Sequence, residues 1–269
     1  MSGAPGRVRS RGAALACGLL MPALALAAAP DPALRNFVAC PIVRDTASVP
    51  CWLAEYQGEL YFLTLQADVS APVNPPWLGH RVLVEGKRTD KPRICGGIVL
   101  EPVRLSVVAE PDASCNTILP AEERYNLTFE PPRPPGPSGG RLAFNTLPMP
   151  SAPTEVKREP KSFTMTYDFN GMVNFKTPFQ LAPVLELAKA MPASRVEITG
   201  YRSAALLSDG TVLQESGDLA RRRAEQIAEL LQGAGLTAPT YDVKWVDAAP
   251  APDGVEDYRQ RRVDIVVRP

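Results

Sequence analysis

Histidine is almost missing from this chain of 269 residues: His80 stands alone. That scarcity leaves a Ser-His-Asp or Cys-His nucleophile with one candidate base and rules out a multi-histidine metal site. No C-x-x-C pair is present to hold zinc or exchange disulfides. Surplus charge is missing too, because Lys+Arg and Asp+Glu both total 29, which argues against a generally basic nucleic-acid binder. Beyond Ala27 no run of about 18 to 20 apolar residues occurs, so no membrane-spanning helix is expected in the mature chain. Nor can a pair of carboxylates be assigned to facing walls of a cleft. A non-catalytic protein without cofactor or metal is the expectation.

Proline, by contrast, is abundant: there are 29, about twice the usual frequency. The start of the chain has the grammar of an export signal. Arg7, Arg9 and Arg11 precede the apolar stretch "GAALACGLLMPALALAAAP", and Ala25-Leu26-Ala27 supplies small residues for cleavage after Ala27. Gly18 and Pro22 interrupt the run, which is short for a spanning helix. The apolar core continues past Cys17 through Leu19, Leu20 and Met21, which argues against lipidation at that cysteine. Removing residues 1–27 leaves Cys40, Cys51, Cys95 and Cys115, an even number expected to form two disulfides in an oxidising compartment. Three connectivities are possible. Short loops favour Cys40 with Cys51 and Cys95 with Cys115, each worth about 3 kcal/mol in the chain-entropy picture. The expected location is the periplasm of a Gram-negative cell, with outer-membrane association an open alternative.

The expected fold class is α+β in two domains. Residues 37–130 read as a disulfide-bonded all-β domain, a small barrel or sandwich of the OB type, from the runs "ELYFLTLQ", "HRVLVEGKR", "GIVLEPVRLSVV" and "RYNLTFE" between turn-forming clusters. Here Trp52 is expected to pack on a disulfide, and Arg44 with Asp45 to form a turn or surface pair. Tyr56, Tyr61, Phe62 and Trp77 are aromatics whose shared face sequence does not define. Residues 131–160 hold nine prolines and read as an extended connector spanning at most about 90 Å. Within it Gly136-Pro137-Ser138-Gly139-Gly140 spells G-x-S-x-G without the strand, helix and later histidine that a nucleophile elbow needs.

From residue 161 to 269 the pattern becomes β-α-β-α-β-β: strands at 163–169, 195–201, 240–246 and 261–267, helices at 181–191 and 217–233. Pro183 suits the first turn of the earlier helix, and Ser216 is the expected N-cap of the later one. On that later helix, Ala220, Ala224, Ile227 and Leu231 share the buried face. Arg223 lies about 40° from Ile227, whereas Arg221 and Arg222 point some 120° to 140° away. Arg223 should therefore lean inward. Arg221 and Arg222 read as a solvated face within reach of Glu225 and Glu229. Of Arg261 and Arg262, one should face the helix layer and one solvent.

This order of elements, with "EITGY" before a polar loop, "LARRRAEQIAELLQGAGL" and "RRVDIVV", resembles the OmpA-like C-terminal domain, a peptidoglycan-associating module of Gram-negative envelope proteins. The resemblance covers about residues 161–269 and none of 37–130. It implies that the diaminopimelate of a peptidoglycan stem peptide is the ligand, its carboxylate taken by Arg223 in a bidentate pair and its ammonium by an acid after the strand. At that acid's position stands Ser203, in Gly200-Tyr201-Arg202-Ser203; Ser216 replaces an asparagine, Ala220 replaces a serine, and the loop is about five residues longer than the family pattern. By resemblance the peptidoglycan site is Arg223, Ser203, Tyr201 and Ser216, with Asp209 and Glu215 of the long loop as candidate replacement acids. A structural ion pair of Arg223 with a carboxylate such as Asp218 is the competing reading. Two functions follow: peptidoglycan association, weakened or altered by the missing aspartate, or assembly with another envelope protein after loss of the glycan ligand.

Overall fold

The structure, a computed structural model, describes residues 33–66, 75–127, 158–174, 177–191 and 193–269. The export signal, the G-x-S-x-G stretch and most of the 131–160 connector lie outside these residues. Among the described residues the fold is α+β, with two α-helices and two principal mixed sheets.

The N-terminal unit begins with β1 (Leu34–Ala39) and β2 (Pro41–Arg44), separated only by Cys40. It continues with β3 (Cys51–Tyr56), β4 (Glu59–Leu65), β5 (His80–Arg88), β6 (Ile98–Pro111) and β7 (Ile118–Leu119). Their hydrogen-bonded order is β1-β5-β6-β4-β3-β2-β7. A closed barrel is not found among the described residues: the order ends at β1 on one side and β7 on the other. The break at Cys40 separates β1, which pairs with β5, from β2, which pairs with β3. Phe37, Trp52, Tyr61, Leu63, Val82 and Val84 are buried together in its interior.

Several local expectations are corrected. The disulfides join Cys40 to Cys115 and Cys51 to Cys95, because sheet pairing brings together residues 75 and 44 positions apart. Segment 124–130 is not a strand where described; Glu123–Tyr125 forms a 3-10 turn. Arg44 does not pair with Asp45. It is buried, stacks 4.0 Å from the Tyr125 ring centre and meets Glu122, while Asp45 accepts a hydrogen bond from the Thr46 amide. Trp52 packs with the Phe37 cluster rather than with the Cys51–Cys95 pair, and its indole N–H reaches Gln66.

In the C-terminal unit, β8 (Lys161–Thr166), β9 (Arg195–Tyr201), β12 (Thr240–Val246) and β13 (Arg262–Arg268) form a sheet in the order β12-β9-β13-β8. Helices α1 (Thr177–Ala190) and α2 (Leu219–Gly233) accompany it. Strict alternation makes one face of β9 and β13 apolar, so Val196, Ile198, Val263, Ile265 and Val267 are buried with Ala224, Ile227 and Leu231 of α2. On the other face Arg195 meets Asp242, and Arg268 meets Glu197, a solvated ladder of opposite charges. Gly200 lets α2 cross β9 closely: a Cβ there would overlap the Ala220 carbonyl oxygen.

The long polar loop is itself structured. Short apolar runs on either side of Asp209-Gly210 form a hairpin, β10 (Ala204–Leu206) and β11 (Val212–Gln214), and Gly210 supplies the left-handed φ of 87° at its turn. This hairpin joins the two units. Ala205 and Leu207 are buried against Leu83 of β5, with Val38 and Phe169 beside them. Asn36 of β1 donates to the carbonyls of Leu206 and Gly254, and its own carbonyl accepts from the Ser208 amide.

Candidate functional site

The inward-leaning arginine of α2 lies where the hairpin returns to the helix. Arg223 is wholly buried, and so is its partner Glu215, which follows β11; both side chains are 0% exposed. The pair is bidentate, with Nη2 donating to Oε1 at 2.8 Å and Nη1 to Oε2 at 3.1 Å. The remaining donors go to main-chain carbonyls: Nε to Gly171 at 3.0 Å, Nη1 to Tyr201 at 3.1 Å and Nη2 to Asp168 at 3.3 Å. All five guanidinium N–H groups are thus used. Glu215 is equally saturated, because Oε1 also accepts from the Asn170 amide and Oε2 from the Ser203 amide, each at 2.8 Å. The Tyr167 ring lies against the guanidinium, 4.6 Å from its centre to Arg223 Cζ. Burial pushes the Tyr167 phenol well above its ordinary range, against the opposing charge of Arg223.

A buried pair with this many satisfied atoms is held from three directions: the segment 168–171, the end of β9, and the hairpin. Its chemistry is that of a closed ion pair. A ligand carboxylate reaches Arg223 only by displacing Glu215.

The other residues of the sequence-derived site are distributed around this pair. Ser203 is buried, and its hydroxyl accepts from Arg261 Nε at 3.2 Å. Tyr201 contributes its carbonyl to Arg223, while its ring stacks under Arg262, 4.2 Å from Cζ. Ser216 does not cap α2, which starts at Leu219 with Asp218 in the flanking position and no side-chain cap. Instead its amide donates to Asn170 Oδ1 at 2.9 Å. Asp218 meets Arg222, not Arg223, and Arg221 meets Glu225. Of the two loop acids only Glu215 reaches Arg223. Asp209 sits at the hairpin turn and accepts from the Thr211 amide at 2.9 Å.

A second buried pair joins residues far apart in the sequence. Arg261, just before β13, is buried and meets Glu85 of β5 in the N-terminal unit. Its guanidinium also stacks on Phe169, 5.2 Å from the ring centre. Glu85 Oε2 is buried without a hydrogen-bond partner among the described residues, and burial pushes this carboxyl above its ordinary value despite Arg261. Its sequence signal is the apolar run before it: Glu85 follows Val82, Leu83 and Val84, all buried, and an acid in such a run calls for a partner.

No family model matches the chain, and no curated protein matches it.

Proposed function

We propose that the chain is a non-catalytic, exported envelope protein whose C-terminal unit is OmpA-like, with the ligand arginine occupied from within, and that it serves as an assembly module rather than a peptidoglycan anchor. The observation that carries this reading is the Glu215 carboxylate on Arg223, in the place where the resemblance puts the diaminopimelate carboxylate. Ser203 removes the acid that would take the ammonium, and its hydroxyl is engaged by Arg261. Both halves of the ligand site are therefore spent on the fold. The two disulfides fit an oxidising compartment such as the periplasm, and among the described residues no helix is long and apolar enough to cross a membrane.

The pairing of the N-terminal unit supports an OB-type reading for that half. The stretch 34–44 pairs through β2 with β3, β3 with β4, β4 in parallel with β6, β6 with β5, and β5 with β1 of the same stretch. The path begins and ends in the same stretch, which is broken at Cys40, so the hydrogen-bonded order stays open between β1 and β2.

Co-sedimentation with purified sacculi tests the proposal. The full chain is expected to stay in the supernatant, and Arg223→Ala to leave that result unchanged. The rival reading, peptidoglycan association through a displaced Glu215, requires pelleting of the full chain that Arg223→Ala abolishes.

A further inference from the structure

Where the hairpin crosses the N-terminal sheet, a cavity of about 350 Å³ opens between the two units. It falls in the size range of small-ligand sites and lies at a junction between units, where such sites concentrate. Its floor is apolar: Leu83 and Val107 come from β5 and β6, and Leu207 and Leu213 come from the hairpin. One wall is Tyr56, stacked on Phe37 with ring centres 4.6 Å apart.

The polar groups of the rim have opposite signs. Arg81 is half exposed, and among the described residues its ion-pair partner is Asp112 at 3.6 Å, too long for a hydrogen bond. Asp209, at the hairpin turn, lines the same cavity, as does Glu110. The Asp209 carboxyl is held below its usual range by hydrogen bonds from Thr211, so it is ionised at neutral pH. Its charge is felt at Tyr56, whose phenol is raised mainly by burial and next by Asp209. A guanidinium, a carboxylate beside an aromatic wall, and an apolar floor together match a molecule with a carboxylate at one end, an ammonium at the other and an apolar body.

We propose that this interunit cavity binds a small zwitterion with apolar side chains, a short peptide with free termini. Its carboxylate lies on Arg81, its ammonium lies by Asp209 and Tyr56, and its side chains rest over Leu83, Val107 and Leu207. The hairpin then has two roles, joining the units and supplying one end of the site. The inference uses no residue of the Arg223 pair and stands or falls apart from the function proposed above.

Isothermal titration of the disulfide-bonded full chain with the dipeptide Leu-Leu is the test, alongside its N-acetyl and C-terminal amide forms. Saturable binding is expected, with each blocked form weaker by about ten- to a hundred-fold, the range of one charge-assisted hydrogen bond. Arg81→Ala should weaken the free dipeptide by a similar factor but leave the amide form unaffected. Asp209→Asn, which keeps the turn acceptor, should weaken the free dipeptide and leave the N-acetyl form unaffected. Absence of saturable binding at millimolar dipeptide overturns the proposal, as does equal binding of all three forms or indifference to both variants.

Discussion

The two buried ion pairs among the described residues have the same chemistry and opposite circumstances. Arg223–Glu215 closes within the C-terminal unit, with every donor of the arginine used and each carboxylate oxygen accepting twice. Arg261–Glu85 spans the two units and leaves one carboxylate oxygen without a partner among the described residues. Burial of a charge is tolerated when hydrogen bonds replace its water, and penalised when they do not. The first pair is therefore part of the fold, while the second fastens one unit to the other at a residual cost that shows in the raised carboxyl of Glu85.

Breaking the first pair should have the largest effect. Glu215→Ala leaves a guanidinium buried with only carbonyl partners and is expected to cost about 3 to 5 kcal/mol in urea denaturation. If Glu215→Ala costs under about 1 kcal/mol, the saturated pair is not a structural element. Next comes the apolar contact of the hairpin. Leu207→Ala should cost about 2 to 3 kcal/mol and split a single calorimetric transition into two, because it loosens the seam with Leu83 rather than either core. Glu85→Ala should cost less, about 1 to 2 kcal/mol, since loss of the Arg261 contact is offset by relief of a poorly solvated carboxylate.

The smallest effect, and the sharpest in sign, is on pH dependence. The folded-state pKa of Glu85 is raised by burial, so its contribution is fully present below the unfolded glutamate pKa and lost as pH rises through the folded value. Glu197 and Asp242 on the outer face behave oppositely. Hydrogen bonds from Arg268 and from Lys244, respectively, lower their pKa values, so their stability is present above the unfolded pKa and lost as pH falls through the folded one. Stability measured against pH for Glu85→Gln should therefore lose its decline on the alkaline side of about 4.3, while Glu197→Gln should reduce the decline on the acid side.

Much of the C-terminal unit was legible because its signals are periodic. Alternation marked β9 and β12 to the residue, and the helical spacing of Ala220, Ala224, Ile227 and Leu231 named the buried face of α2 and the inward arginine. What eluded sequence reading was non-local. The disulfide partners are set by which strands pair, not by how short a loop they close. The Arg223 partner lies eight residues away across a turn, and the candidate Asp218 is nearer in sequence but points with Arg222. The hairpin had a local signal, Asp209-Gly210 between "AALL" and "TVLQ", but its strands have only three residues each. Its purpose appears only when β5 lies beneath it. Glu85 gives no local sign of its partner, which is 176 residues away.

The Arg223 side chain reports most directly on whether its pocket is filled from within. In nitrogen-15 NMR its Nε–H should exchange slowly with water and keep its position when a stem peptide containing diaminopimelate is titrated into the full chain. A saturable shift of that resonance with the stem peptide, accompanied by faster exchange as Glu215 is displaced, would contradict the account.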